Sequence, residues 1–331
     1  MKSTSTDKAK ISLRELESRI DHLDQRLADI GDPITPAQVI QRRQFERDRA
    51  ELLHLCAHPD PADRVFLARH AGRPGVVDYV DHLFTDFFEQ RGDRLFREDP
   101  SIYGGIARFH GQPVTVIGTR KGKTLDENLA CHFGMPCPEG YRKALRLMRQ
   151  AAKFKRPIIT FIDTAGAYPG KEAEENGQGE AIARNLAVMS RLPVPIIAVF
   201  TGEGGSGGAL ALGVGNRVIM LENAIYSILS PEGFASILWK DPDRSDEACS
   251  VMKLTARDLK DLKVVDRIIR EPLGGAHRNP GAVYTALDRV LAEELKGLNK
   301  MSASELINKR YARFRAYGAT TPKTASKKGD A

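Results

Sequence analysis

Two apolar runs, each closing on a glycine-rich turn, set the terms for this chain. The first is IITFID, Ile158 to Asp163, followed by TAGAYPG. The second is PIIAVF, Pro195 to Phe200, followed by TGEGGSGGALALGVG, Thr201 to Gly215, in which seven residues are glycine. Short continuous apolar runs read as strands buried on both faces, and such strands belong to parallel sheets covered by helices. Helical patterns fill the intervals: PEGYRKALRLMRQAAKFKRP before the first run, and Ala173 to Leu192 between the two. PVTVIG (Pro113 to Gly118) precedes them, and a short small-residue helix, NRVIML and AIYSIL follow. This alternation predicts an α/β fold with a mostly parallel, helix-covered sheet. Two successive parallel strands then carry their glycine turns at one carboxyl edge, where ligands bind in α/β sheets.

The flanks are helical. Leu13, Leu16, Ile20, Leu23, Leu27 and Ile30 form a heptad seam, ended by Gly31 to Pro33. Thr35 and Pro36 fit an N-cap and first helical position, and a second helix is expected through about Leu55. The resulting hairpin either packs on its own domain or grips a partner chain. RPGVVDYVDHLFTDFFEQRGDRL predicts a connector and then an amphipathic helix from about Val76 to Gln90. In the helix of PEGYRKALRLM, Tyr141, Ala144, Leu145, Met148, Ala151 and Ala152 share one face. Arg142, Arg146, Arg149 and Lys153 form a basic stripe opposite, either solvated or a docking surface. Helix resumes beyond Pro280, and TTPKTASKKGDA reads as a disordered basic tail. The expected division is a helical extension over 1–75, a catalytic domain over 76–318 and the tail over 319–331.

No apolar run approaches 18 residues, so no membrane span is expected, and the first residues lack the apolar stretch of a secretory signal. Four scattered cysteines without a C-x-x-C pair suit a reducing cytoplasm. Cys131 and Cys137 flank His132 but read as core thiols, so no metal is expected in this chain. The net charge of +7 suits a nucleic acid, an acidic partner or an anionic substrate such as a nucleotide-tailed thioester. Aromatic residues are few and not interleaved with basic ones, which disfavours nucleic acid.

Three chemistries compete for the glycine turns. GTRKGKT, Gly118 to Thr124, resembles a phosphate-binding P-loop but has one residue too few before its G-K-T, and no good helix is expected after it. Arg120, Lys121 and Lys123 remain as contacts for an anionic ligand such as coenzyme A. Gly204 to Gly208 reads G-x-S-x-G, which suits a nucleophile elbow at Ser206. A triad also needs a histidine and a carboxylate, and the one histidine after Ser206 is His277. The third chemistry needs no reactive side chain. A glycine run opening a short helix leaves its first N–H groups unpaired and aimed outward, a ready donor pair for an oxyanion. Glycines that merely allow tight strand–helix packing give the same spacing.

FIDTAGAYPG, GQGEAIARNL, GEGGSGGALALGVGNRV, YSILSPEGFASILWK and EPLGGAHRNP, in this order, closely resemble the alpha subunit of the bacterial-type acetyl-coenzyme A carboxylase carboxyltransferase. YGGIARFHGQPVTVIG and FGMPCPEGYRKALRLM extend the match, which covers roughly residues 10 to 318. The resemblance implies a crotonase-like ββα spiral with an N-terminal helical hairpin and C-terminal helices. It implies a beta subunit of the same fold in an α2β2 assembly, active only together. The reaction it implies transfers the carboxyl group of carboxybiotin, tethered to the biotin carboxyl carrier protein, to acetyl-CoA. Malonyl-CoA results, the committed step of fatty acid synthesis in the cytoplasm. ATP is used by a separate biotin carboxylase.

Matched by position, the N–H groups of Gly207 and Gly208 meet the ureido oxygen of biotin, with Gly204 and Gly205 shaping the turn. Gly166, Tyr168, Gly170, Ser230, Glu232 and Gly233 are implied substrate-binding positions. A second oxyanion hole, for the enolate, and a zinc ribbon are implied for the beta subunit. Three places depart from the family's usual pattern. Ala165 stands where many relatives have proline, Phe234 replaces a small residue, and NLACHFG lacks the usual basic pair. Three other functions stay open on the residues: a stand-alone crotonase-fold acyl-CoA decarboxylase or hydratase using Glu203 or Glu232, a serine hydrolase using Ser206, and a non-catalytic scaffold.

Overall fold

The computed structural model describes residues 11–32 and 35–318. The expected stop at Pro33 and the tail from 319 lie outside the described residues. Helix α1 (Leu13–Ile30) is capped by Ser12 and closed by Gly31, whose φ is 58°. Helix α2 (Pro36–Leu55) opens on a capping box between Thr35 and Gln38, with Pro36 in the first turn. The heptad seam divides in two. Leu13, Leu16 and Ile20 are buried with Cys56 and Leu67, so the base of the hairpin sits on the body. Leu23, Leu27 and Ile30 are half-buried. Helix α3 (Pro61–Ala68) then buries Val65 and Ala68 against Ile225, Cys249 and Leu254.

Helix α4 (Val76–Leu83) ends before the expected Gln90. Thr85–Glu89 is strand β1, antiparallel to β2 (Ile102–Phe109), with a register shift between Thr85 and Phe88. Asp86, at φ 52°, cannot continue a helix. Strand β3 (Gln112–Thr119) returns along β2 through His110 and Gly111, both at positive φ, as a two-residue hairpin requires. Two helices follow, α5 (Leu125–Ala130) and α6 (Pro138–Lys153). Strand β4 (Ile158–Thr164) and strand β5 (Ile196–Gly205) are parallel, and β4 is buried throughout. Between them the expected single helix is two, α7 (Lys171–Glu175) and α8 (Gln178–Met189), interrupted at Gly177 with φ 82°.

Helix α9 (Ser206–Gly213) follows β5 directly. Strand β6 (Arg217–Leu221) pairs with the first half of β5, and β7 (Ile225–Ser227) with its last residues. Helices α10 (Pro231–Trp239), α11 (Ser245–Val251) and α12 (Ala256–Asp261) lead to β8 (Arg267–Ile269), and α13 (Pro280–Leu298) and α14 (Ala303–Ala316) complete the described chain. The eight strands of the described residues form one sheet in the order β1-β2-β3-β4-β5-β6-β8, with β7 beside β5. From β3 onward the pairing is parallel. The expected α/β architecture is therefore present, with an antiparallel edge. The basic stripe of α6 is only half solvated. Arg142 pairs with Asp93 and Glu139, and Arg146 donates to the Gly92 carbonyl, so these two arginines fix the loop before β2.

Candidate active site

Register places both glycine turns at one edge of the sheet. Strand β5 leaves β6 after Phe200 and is paired through Glu203, Gly204 and Gly205 with β7. Beside it the β4–β5 ladder slips between Ile162 and Thr164, then joins Thr164 to Gly204. The two strand ends bend together, and their turns touch. A Cβ on Gly205 would stand 2.8 Å from the Gly166 nitrogen, and one on Gly208 would stand 2.5 Å from the Ala167 nitrogen. Real Cβ atoms do not approach backbone so closely, so glycine is required here by packing. Gly207 differs: a Cβ there would meet Ile182 at 3.7 Å, ordinary contact. The glycine at 207 therefore has no steric reason in this chain.

Helix α9 begins at Ser206 without a side-chain cap. Its first N–H groups have no intrahelical partner, and they carry the positive end of the helix dipole. Ser206 is exposed, with φ 48°, the sharp strand-to-helix turn of an elbow. Its expected histidine is elsewhere. His277 bonds to Glu17 at 3.1 Å and stacks on His70 at 3.8 Å, beneath the hairpin.

Other expected positions gather at the same edge. Tyr168 donates its N–H to the Pro136 carbonyl and rests against the His132 ring at 4.4 Å. Ser227, opposite Gly205 in the β5–β7 ladder, leads to Ser230, whose hydroxyl caps α10 by accepting from the Gly233 N–H at 3.1 Å. Gly170 is the N-cap of α7. Phe234 meets Trp239 edge to face at 5.9 Å.

Below the turns lies a cleft of about 820 Å³ lined by Arg73, Arg120, Lys121, Phe133, Ala165 and Glu203, among others. Its basic residues are mostly committed. Arg69 bonds to Glu203 and Glu232, each at 2.7 Å. Lys121 bonds to Asp163 at 2.7 Å and Glu203 at 3.1 Å, and Lys123 to Asp78 at 2.5 Å. Arg120 alone of the three expected anion contacts has no ion-pair partner among the described residues. The short helix α5 does follow this loop, and its acidic Glu127 accepts the Lys123 N–H at 2.8 Å. The Gly122 N–H is taken as well, donating to Asn128 Oδ1 at 3.0 Å.

The same pairs settle the two carboxylates. Burial would raise the pKa of Glu203, but Lys121 and Arg69 outweigh it and hold Glu203 below the ordinary carboxylate range. The Arg69 hydrogen bond does the same for Glu232. Both carboxylates are thus engaged by cations, Glu203 by Lys121 and Arg69 and Glu232 by Arg69. Arg69 and Asp163 could not be read as partners in this network from local pattern, because 134 residues separate Arg69 from Glu203.

The profile of the family described as acetyl co-enzyme A carboxylase carboxyltransferase-like matches residues 8–318. The chain belongs to that family. It is 54% identical over 308 residues to the acetyl-coenzyme A carboxylase carboxyl transferase subunit alpha of Heliobacterium modesticaldum, covering 92% of this chain and 90% of that protein. It is 50% identical over 310 residues to the protein of the same name from Halalkalibacterium halodurans, covering 92% and 93%. Among solved structures, the Pseudomonas malonate decarboxylase MdcD–MdcE hetero-dimer has a chain that superposes with a TM-score of 0.54 at 18% identity, covering 66% of this chain and 89% of that one. This likeness is one of fold, and the carboxyltransferase family's crotonase-like architecture is the one this chain adopts.

Proposed function

We propose that this chain is the alpha subunit of an acetyl-CoA carboxylase carboxyltransferase and supplies the half of the active site that receives biotin. The observation that carries this reading is the uncapped first turn of α9, pressed by Gly205 and Gly208 against the β4 turn. Carboxybiotin on its carrier protein supplies the carboxyl group. The N–H groups of Gly207 and Gly208 donate to the ureido oxygen where negative charge grows as the carboxyl group departs. One such donor lowers a barrier by about 3–4 kcal/mol. Gly204 and Gly205 set the turn, the β4 turn from Gly166 to Gly170 walls one side, and Ser230 to Gly233 wall the other. The corner is open to solvent at Ser206, as a site reached by a tethered group must be.

Among the described residues no side chain at this corner is placed as a general base, which fits a site completed by a second subunit. We take that subunit to be the beta chain, in an α2β2 assembly working with the carrier protein and biotin carboxylase in the cytoplasm. Among the described residues no helix is long and apolar enough to cross a membrane. The domain reading is retained: an extension to residue 75 and a carboxyltransferase domain over 76–318.

Co-expression with the beta subunit and assay of biotin-dependent malonyl-CoA decarboxylation tests the proposal. Activity is expected from the complex and from neither subunit alone. A complex that assembles but turns over nothing refutes it. Covalent labelling by a fluorophosphonate probe, lost in Ser206→Ala, would favour the hydrolase instead.

A further inference from the structure

Lys121 follows the end of β3, in the wall of the cleft. Its ammonium donates to Asp163 Oδ1 at 2.7 Å and to Glu203 Oε2 at 3.1 Å. These carboxylates stand on the last turns of β4 and β5, just ahead of Gly166 and of Gly207–Gly208. Asp163 Oδ1 also accepts the main-chain N–H of Glu203 at 2.9 Å. Its carboxyl carbon lies 2.6 Å from where a Cβ on Gly202 would sit, so Asp163 crosses directly over β5. The Asp163 N–H donates in turn to Thr119 Oγ1 at 2.7 Å. Three strand ends are thus tied at one point around the Lys121 ammonium, while Arg69 holds the other oxygen of Glu203 at 2.7 Å. Without Lys121, the Asp163 carboxylate would face Glu203 Oε2 with no cation between them, and the two would move apart.

We propose that Lys121 is a positioning residue of the carboxyl-transfer site. By holding Asp163 to Glu203 it fixes the spacing of the β4 and β5 turns, and with it the aim of the Gly207 and Gly208 amides. It acts through the two carboxylates and does not touch substrate. This rests on the reading that those amides receive the ureido oxygen. It replaces the expectation that Lys121 contacts an anionic ligand, since both of its neighbours are already anions.

The test uses the complex reconstituted with the beta subunit, varying free biotin and malonyl-CoA separately. An inactive wild-type complex would count against the proposed function and not against Lys121. With an active wild type, Lys121→Gln is expected to lower kcat by about 100-fold, the usual cost of a misaligned site. The KM for malonyl-CoA should stay unchanged, and adding Glu203→Gln should recover part of kcat by relieving the repulsion. A wild-type kcat, or a raised KM for malonyl-CoA at unchanged kcat, would overturn the assignment in favour of substrate contact or no role. Should Lys121→Gln fail to assemble, Lys121→Arg is read alone. A kcat lowered about tenfold with unchanged malonyl-CoA KM supports positioning, because the larger, planar guanidinium sets its donors at a different spacing from an ammonium and shifts the two carboxylates apart. Wild-type kcat in that variant overturns it.

Discussion

Gly208 lies against Gly166 with no room between them for a methyl group: a Cβ on Gly208 would stand 2.8 Å from the Gly166 carbonyl oxygen. One residue earlier, the same methyl group would be in ordinary contact with Ile182. The two glycines therefore test different things. Gly208→Ala should destabilise the subunit by about 1–3 kcal/mol, the range for overpacking, and abolish transfer by parting the two turns. Gly207→Ala should leave the melting temperature within a degree or so of wild type. Gly207→Val should keep the fold and lower kcat roughly 100-fold or more by crowding the amides. Thermal melts beside the decarboxylation assay separate the cases. Full activity in Gly207→Val would mean that the corner is packing alone.

Arg310 fastens α14 to the body without any carboxylate. Its guanidinium donates to the carbonyls of Met189, Leu192 and Val194 at 2.8, 2.9 and 3.0 Å and to Asn216 Oδ1 at 2.5 Å. Burial pushes its pKa down to about 10. Arg310→Met takes the guanidinium from four buried acceptors; Met189 O and Asn216 Oδ1 keep a backbone N–H, and the Leu192 and Val194 carbonyls lose their Arg310 donor at about 1–3 kcal/mol each, so a loss of about 3 kcal/mol is expected. Arg310→Lys should recover only part of it, since an ammonium has three donors for four acceptors. Urea unfolding measures both. A loss below about 1 kcal/mol in the methionine variant would mean that water enters and replaces the guanidinium.

The parts legible in sequence were those written in neighbouring residues. The IITFID and PIIAVF runs announced buried parallel strands, and their glycine tails announced two turns at one carboxyl edge; that the turns touch appears only in the structure. Strand β1 was misread because VDYVDHLFTDFFEQ keeps a helical spacing past Leu83, while the edge of β2 needed a partner that no local pattern reveals. The break at Gly177 was missed because Ala173 to Leu192 is otherwise a good helix. Arg69, Lys121, Asp163 and Glu203 were invisible as a network, since an ion pair across the fold leaves no periodicity. Lys121 shows the cost of reading charge alone: a lysine in a glycine loop suggests phosphate until the two carboxylates beside it are seen.

Arg73 and Glu271 form a buried pair joining the connector before α4 to the segment after β8. Arg73 donates to Glu271 at 2.5 and 3.0 Å, with side-chain exposures of 2% and 0%. Glu271 also accepts the N–H groups of Asn223 and Ala276. Burial alone would raise its pKa, and Arg73 reverses that, holding it below the ordinary value. Removing one partner strands a buried charge, so Arg73→Met should cost roughly 3–5 kcal/mol. Arg73→Met with Glu271→Gln should cost less than the single change. If the double variant were the sum of two large losses, the pair would not be coupled.

The hairpin is held by a cluster whose charge depends on pH. Glu17 of α1, buried to 3% exposure, meets His277 at 3.1 Å, His70 at 3.8 Å and the guanidinium of Arg278. Arg278 also reaches Asp21 at 2.7 Å and Asp24 at 3.2 Å. His70 accepts the Gly72 N–H on Nδ1 at 3.1 Å, so protonating it breaks that bond. Burial, helped by His277, holds the His70 pKa below its ordinary 6.5. A depressed histidine pKa means that the unfolded or undocked state takes up the proton first. The His70 contribution is therefore complete above about pH 6.5 and is lost as pH falls through the folded value. Glu17 is held below its ordinary 4.5 by His277 and Arg278 against the opposing effect of burial, so its contribution persists above that pH and fails only in stronger acid. Limited proteolysis should accordingly cut α1 and α2 several-fold faster at pH 5.5 than at pH 7.5. His70→Asn, whose amide oxygen can still accept from Gly72, should flatten that difference, and Arg278→Ala should free the hairpin at both values. Equal cleavage at pH 5.5 and 7.5 in the wild type would show that His70 does not govern docking.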